Sequence, residues 1–265
     1  IVHEYTHTII EDISGQVYRS IKWLDEGLAE YEAYVAVVKT KYNQTEFAMK
    51  ADAMRKLYNA LDKGQLFSLK ELSSDTDWHN RLPGTPERAL QYAQSWILVN
   101  YLATTYGPSK CKEILLAMKQ GEPQDSALLR AISVSTAQFE TDFKQYLQKI
   151  RTDAPSHISE AEAAIKKAES EGRTIGVGEA KKLLQAAKDA QAASDFERAI
   201  SLAGQARQIA MKATAPLTIA TRTVSTVTSS TATSPTAPTS EMTTTYALLG
   251  LVVVVVAIAT VAVSR

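Results

Sequence analysis

Apolar residues recur at the spacing of amphipathic helices along most of the chain, and no stretch shows the alternation typical of β-strands. The first predicted helix covers residues 1–14 and is followed by Gly15, a residue type that commonly ends helices. Its apolar positions are Ile1, Val2, Tyr5, Ile9 and Ile13. A second helix is predicted from about Glu26 to Lys39, with Asp25 as its N-terminal cap.

Further predicted helices extend the all-α pattern to residue 150. They cover approximately residues 47–63, 87–106, 110–120, 126–132 and 133–150. The stretch from Ser73 to Pro86 is polar and contains the pair Pro83-Gly84, so it is predicted to be a loop. His79 falls within this loop, and we expect it to be exposed.

Composition divides the chain into four predicted parts, of which residues 1–152 are the first. Residues 156–214 are rich in Ala, Lys, Glu and Gln with apolar positions at helical spacing, which predicts a three-helix bundle or a coiled-coil spacer. Residues 215–245 are almost all Thr, Ser, Ala, Val and Pro, a composition typical of a disordered stalk. Residues 246–263 form the last part, an apolar run without charge.

We predict a single transmembrane helix in this last run. Its eighteen residues span about 27 Å as a helix, close to the ~30 Å hydrocarbon core of a bilayer. Arg265 is the only nearby positive charge, and positive charge favours the cytoplasmic side. The expected location is therefore the cell membrane, with residues 1–152 extracellular and a cytoplasmic C-terminus.

The charge balance and the cysteine content exclude several classes of protein. Lys and Arg together number 29, as do Asp and Glu, so no overall positive field favours nucleic acid as a partner. Cys111 is the only cysteine, which excludes an intrachain disulfide and a zinc site built on cysteines. We expect Cys111 to be a small buried apolar residue.

The first seven residues carry the motif H-E-x-x-H, as His3-Glu4-Tyr5-Thr6-His7. Histidines four residues apart on a helix lie on one face, about a turn apart, where both can bind one metal ion. Eighteen residues separate His7 from Glu26, enough for a second helix to bring this carboxylate to the metal. Two histidines, a glutamate and an open position are the ligand set of a catalytic zinc site. Glu30 shares a face with Glu26 and is predicted to accept a hydrogen bond from a ligating histidine.

This spacing resembles that of the gluzincin metallopeptidases. The segment Trp23–Ala29, W-L-D-E-G-L-A, is similar to the W-L-N-E-G-F-A segment of aminopeptidase-N-type enzymes, with Asp25 in place of Asn. The stretch Tyr92–Leu102 is similar to the Y-x-K-G-x-x-L-L-x-Y-L helix of that family, although Gln94-Ser95 replaces Lys-Gly. The resemblance covers residues 1–150 and is closest to the peptidase-MA-like proteins of prokaryotes.

The resemblance implies that His3, His7 and Glu26 bind Zn²⁺. It also implies that Glu4 acts as general base on the metal-activated water and then passes the proton to the leaving amine. Tyr92 would donate a hydrogen bond to the oxyanion that forms at the substrate carbonyl. The implied activity is hydrolysis of a peptide or protein substrate.

The motif opens the chain, with no signal peptide and no strand ahead of its helix. Enzymes of this type usually set the helix against an upstream sheet, so we expect the chain to be the C-terminal part of a longer protein. The expected fold is mainly α: the helical lobe of a gluzincin domain without its β part, then a bundle, a stalk and a transmembrane helix. We expect Tyr5 and Trp23 to be core residues. The choice between aminopeptidase and endopeptidase action stays open.

A function of a different class is also open, namely a catalytically inactive surface-layer or adhesion protein that keeps the peptidase fold. The complete set of ligands, base and tyrosine favours an enzyme, because decay usually removes one of them. We reject an intramembrane protease, since residues 1–14 are too short and polar to span a bilayer.

Overall fold

The structure is a computed structural model that describes residues 1–40 and 45–216, and α-helices account for most of this part. The helices are α1 (Val2–Ser14), α2 (Lys22–Thr40), α3 (Thr45–Asp62), α4 (Leu69–Ser73), α5 (Asp75–Asn80), α6 (Pro86–Tyr106), α7 (Ser109–Lys119), α8 (Gln124–Ile132), α9 (Thr136–Ser170), α10 (Val177–Ala192) and α11 (Phe196–Lys212). A 3-10 helix, Gly15–Ser20, joins α1 to α2. The mainly α fold expected from the sequence is confirmed.

The two C-terminal predictions fall largely beyond this part of the chain. The predicted transmembrane run, and the predicted stalk from residue 217 onward, lie outside the described residues. Among residues 1–40 and 45–216, no helix combines the length and the apolar character needed to cross a membrane.

Helix α6 lies at the centre of the first nine helices. Every residue from Ala93 to Ala103 is buried, as expected for a helix that is surrounded by others. It packs against α2, α3 and α7, and the ring of Tyr101 lies 5.5 Å from Phe139 and 5.7 Å from Phe143 on α9. Helix α2, which carries Glu26, is therefore held against the interior of the domain.

The face of α1 that packs on the core differs from the predicted one. Thr6, Ile10 and Ser14 are buried, whereas Tyr5 is 65% exposed and is not the core residue we expected. The hydroxyls of Thr6 and Ser14 donate to the carbonyls of Val2 at 2.9 Å and Ile10 at 2.7 Å. Because these bonds lie within the helix, both polar side chains can be buried with their hydrogen bonds made.

Helix α2 begins earlier than predicted, at Lys22 instead of Glu26. Asp25 therefore lies inside the first turn and does not cap the helix, and its side chain is 1% exposed. Trp23 and Leu24 are fully buried, so packing on the core favours the earlier start. The expectation that Trp23 is a core residue agrees with the structure.

His79 and Cys111 can also be compared with their predicted environments. His79 is exposed, as expected, but it lies on the short helix α5 and not in a loop. A serine cap explains this helix, because the Ser74 side chain accepts a hydrogen bond from the backbone of Asp77. Cys111 is free and buried, in line with its expected packing role.

Helices α2 and α6 approach each other closely at Gly27. A Cβ atom at this position would lie 2.4 Å from the backbone oxygen of Ser95 and 2.9 Å from a methyl group of Val99. Only glycine allows this contact without movement of the backbone of α6. Gly27 directly follows Glu26, so the contact also sets how Glu26 is placed relative to α6.

Helix α9 runs from Thr136 to Ser170 and includes Pro155, so the predicted helix 133–150 continues and no break follows residue 152. Proline removes one helical hydrogen bond and usually kinks or ends a helix. Here Ala154 and Ile158 are buried on either side of it, and this packing favours continuation. The predicted domain boundary is thus inside a helix.

The C-terminal half of α9 packs with α10 and α11 around a core in which alanine predominates. At the start of α11, the ring of Phe196 lies 4.8 Å from that of Tyr58 on α3, in a T-shaped arrangement. Glu197 accepts hydrogen bonds from Lys50 at 2.5 Å and from Tyr146. These contacts attach the three-helix part to α3 and to the N-terminal half of α9.

The contact at Gly27 leads to a stability prediction. Replacement of Gly27 by Ala is expected to lower the free energy of unfolding by about 1–3 kcal/mol, because the new methyl group meets a backbone oxygen of a buried helix. Urea unfolding followed by circular dichroism measures the change.

Gly204→Ala is the matched control, since Gly204 lies inside α11 and no atom beyond its chain neighbours and the backbone of its own helix is within 4 Å of its Cβ position. It should be neutral or stabilise by up to ~1 kcal/mol. Equal behaviour of the two variants would contradict the close approach of α2 and α6.

Candidate metal centre

Helices α1 and α2 bring three potential metal ligands together. The Nε2 atoms of His3 and His7 lie 3.2 Å apart. Oε2 of Glu26 lies 3.6 Å from the first and 3.5 Å from the second. His3, His7 and Glu26, with three and eighteen residues between successive members, therefore present one atom each to a common point.

The size of this triangle fits a zinc ion. Ligand bonds of ~2.0–2.2 Å in tetrahedral geometry require ligand atoms about 3.3–3.6 Å apart. The three distances, 3.2, 3.5 and 3.6 Å, are close to those values. Two imidazoles and one carboxylate also leave a fourth position open, as in catalytic zinc sites.

A carboxylate oxygen also lies near the Nδ1 atom of each histidine ring. The Nδ1–H group of His7 donates to Oδ1 of Asp25 at 2.7 Å, and Nδ1 of His3 lies 3.4 Å from Oε1 of Glu30. A carboxylate at Nδ1 places the proton there and leaves Nε2 as the free ligand atom. The spacing of Glu26 and Glu30 predicted this contact of Glu30, but the sequence pattern assigned Asp25 to a helix cap.

Lys22 is a residue of the site that sequence reasoning missed. Its Nζ donates to Oδ2 of Asp25 at 2.6 Å and lies 3.1 Å from Oε1 of Glu26. The signal was present in the spacing, because Lys22 is three and four residues before these carboxylates on what proves to be one helix. The predicted start of α2 at Glu26 left Lys22 outside the helix and hid the relation.

The electrostatics of the cluster stabilise positive charge between its members. Burial acts to raise the pKa of Glu26, but its hydrogen bond with His7 and the charge of Lys22 outweigh burial and lower the pKa to about 2. Hydrogen bonds with Asp25 and Glu26 raise the pKa of His7 to about 10. Burial acts to lower the pKa of Lys22, but the carboxylates of Asp25 and Glu26 outweigh burial and raise it. Glu26 is therefore a carboxylate at neutral pH, as a metal ligand must be.

Glu4 directly follows His3 on α1, and its side chain is exposed. Among the described residues, no hydrogen bond or ion pair engages its carboxylate. A general base has to be free to reach solvent and substrate. The exposure of Glu4 is consistent with that use.

Tyr92 is on α6. Its ring packs in a T-shaped arrangement 5.2 Å from Trp78, and its hydroxyl oxygen accepts a hydrogen bond from Arg88 at 3.1 Å. Arginine cannot accept a hydrogen bond, so the hydroxyl hydrogen of Tyr92 is available to another acceptor. Tyr92 and Glu30 both line a cavity of about 270 Å³.

We compared the chain with models of known protein families, with curated proteins and with solved structures. A family model described as Peptidase MA superfamily matches residues 1–149. The chain belongs to the Peptidase MA superfamily. Searches of curated proteins and of solved structures returned no match. The narrower likeness to aminopeptidase-N-type enzymes stays a prediction, as do the roles of single residues.

The ligand cluster of this Peptidase MA protein can be tested by metal content. Replacement of His7 by Ala is expected to abolish stoichiometric binding of a divalent metal ion, because it removes one of three protein ligands. Metal content after loading and dialysis is measured by mass spectrometry.

His79→Ala is the control, since His79 is an exposed histidine on α5. This variant should retain one ion per chain. Equal metal content in the His7→Ala and His79→Ala proteins would place the metal elsewhere.

Proposed function

We propose that this member of the Peptidase MA superfamily is a zinc metallopeptidase that hydrolyses peptide bonds. The observation that carries the proposal is the meeting of His3 Nε2, His7 Nε2 and Glu26 Oε2 at the separations of a tetrahedral zinc site. The family match supports a peptide or protein as the substrate. Acyl transfer to water is the reaction class.

The residues of the chain have separate tasks in this mechanism. His3, His7 and Glu26 would hold the zinc ion, which when bound would polarise the substrate carbonyl and lower the pKa of water from ~15.7 towards ~7. The carboxylate of Glu4 takes a proton from the attacking water as the water oxygen bonds to the carbonyl carbon. The same carboxylate then gives this proton to the amide nitrogen, and the C–N bond breaks.

Three further side chains support this chemistry. Tyr92 donates its hydroxyl hydrogen to the carbonyl oxygen as negative charge develops there. Asp25 and Glu30 hold the two histidine rings in the orientation that directs Nε2 toward the centre. Both rings are therefore in place before substrate binds.

We further propose that the enzyme is anchored in the cell membrane by one helix over residues 246–263, with the catalytic part outside and the C-terminus in the cytoplasm. The apolar run, the Thr- and Ser-rich residues before it and Arg265 after it support this topology. Its substrates would then be peptides or proteins outside the cell. The balanced charge of the chain supports no role for nucleic acid.

The general base is tested by Glu4→Gln. The rate of peptide cleavage is expected to fall by about 10²–10⁴-fold, because the amide cannot take up the proton, while zinc content stays unchanged. Cleavage of a fluorogenic peptide library by the purified chain provides the measurement.

Glu11→Gln is the control, since Glu11 is another exposed carboxylate on α1. It should leave the rate unchanged. Equal cleavage by the Glu4→Gln protein and the wild type would remove Glu4 from the mechanism. Zinc binding without any cleavage by the wild type would favour the inactive surface-layer or adhesion protein.

Tyr92→Phe tests the oxyanion contact. The substitution keeps the ring that packs on Trp78 and removes only the hydroxyl. The expected result is a fall in kcat of about 10²-fold with little change in KM, because the hydrogen bond forms in the transition state. A rise in KM at constant kcat would instead show that Tyr92 binds the ground state of the substrate.

A further inference from the structure

Lys22 is buried beside the ligand cluster, and the mechanism above does not use it. It is the only lysine that is buried among the described residues, with 8% of its side chain exposed. Its Nζ contacts Asp25 and Glu26 and lies 5.8 Å from the centre of the Tyr18 ring. A buried ammonium group is costly unless its partners compensate the loss of water. Its position therefore needs a physical explanation.

The two carboxylate oxygens of Glu26 face different partners. Oε2 lies 3.6 and 3.5 Å from the Nε2 atoms of His3 and His7. Oε1 lies 3.1 Å from Nζ of Lys22, on the side of Asp25. A carboxylate can bind a metal through one oxygen or through both. Here the second oxygen is already engaged by a cation that cannot act as a metal ligand while it is protonated.

Lys22 also compensates the charge of the buried Asp25 carboxylate. Its Oδ1 accepts the hydrogen bond from His7 Nδ1, a task that the neutral amide of an asparagine could also perform. The carboxylate instead adds a negative charge at a position that is 1% exposed. Its other oxygen, Oδ2, is the one that Lys22 contacts at 2.6 Å. Lys22 thus compensates Asp25 and Glu26 with one positive charge.

We propose that Lys22 is a positioning residue of the metal site, which restricts Glu26 to one metal-binding oxygen and compensates the charge of Asp25. The inference rests on the proposed zinc site. It assigns four ligands to the ion: His3 Nε2, His7 Nε2, Glu26 Oε2 and one solvent position. Without Lys22, Oε1 of Glu26 is free to bind as well, and the coordination number rises to five.

A positioning role and a purely structural role of Lys22 lead to different predictions. If Lys22 only stabilises the fold, its loss lowers stability and leaves the coordination of the metal unchanged. If it also positions Glu26, its loss changes the coordination even where stability is regained. Asp25→Asn separates the two effects, because it removes the unpaired charge that Lys22→Met leaves behind but keeps an acceptor for His7.

Cobalt(II) is the probe, because its visible absorption weakens as the coordination number rises from four to five. The purified chain is titrated with Co²⁺ as wild type, Lys22→Met and Lys22→Met/Asp25→Asn, and urea unfolding is measured for each. Lys63→Met is the control, since Lys63 is an exposed lysine remote from the cluster in sequence. It should leave both measurements unchanged.

The expected results are intense bands for the wild type and weaker bands for both Lys22 variants. The urea midpoint should fall in Lys22→Met and recover in the double variant. The cobalt absorption of the double variant can therefore be measured even if Lys22→Met does not fold. Full-intensity bands in the double variant would overturn the inference. Weak bands in the wild type would also overturn it while leaving the metal site intact. A wild type that binds no cobalt would instead overturn the proposed zinc site and Lys22's role together.

Discussion

The hydrogen bond from His7 to Asp25 joins the two helices that carry the proposed metal ligands, and the rest of the site depends on it. His7 belongs to α1, while Asp25 directly precedes Glu26 on α2. With Nδ1 held by Asp25, the ring can turn only Nε2 toward His3 and Glu26. Asp25 is buried and charged, so this bond is stable only with a cation nearby, and Lys22 provides one.

The packing of α2 against α6 gives this polar cluster a rigid support. Gly27 allows the two backbones to approach to a distance that any side chain would prevent. Since α6 is buried along its central turns, α2 cannot shift without disturbing the interior of the domain. The carboxylates of Glu26 and Glu30 are therefore positioned by the hydrophobic core, although both belong to a polar site.

The sequence predicted most of the helices from regular apolar spacing, and it predicted that His3, His7 and Glu26 meet, which the structure shows. It could not predict which face of α1 is buried, since Thr6 and Ser14 satisfy their hydroxyls within the helix and so can replace apolar residues. It also missed Lys22, because ion pairs depend on where a helix starts, and burial of Trp23 moves that start. The change of composition after residue 152 predicted a boundary, but helix α9 continues through Pro155 with buried residues on both sides of it.

The unbroken helix α9 has a mechanical consequence. Thirty-five helical residues extend over about 50 Å, and they belong both to the core around α6 and to the three-helix part. Contacts of Glu197 with Lys50 and Tyr146 add a second connection alongside the helix. The helices around α6 and the alanine-rich helices are thus joined by a continuous helix and by side-chain contacts beside it. The separation between the ends of these two helical groups is then set by the length of one helix.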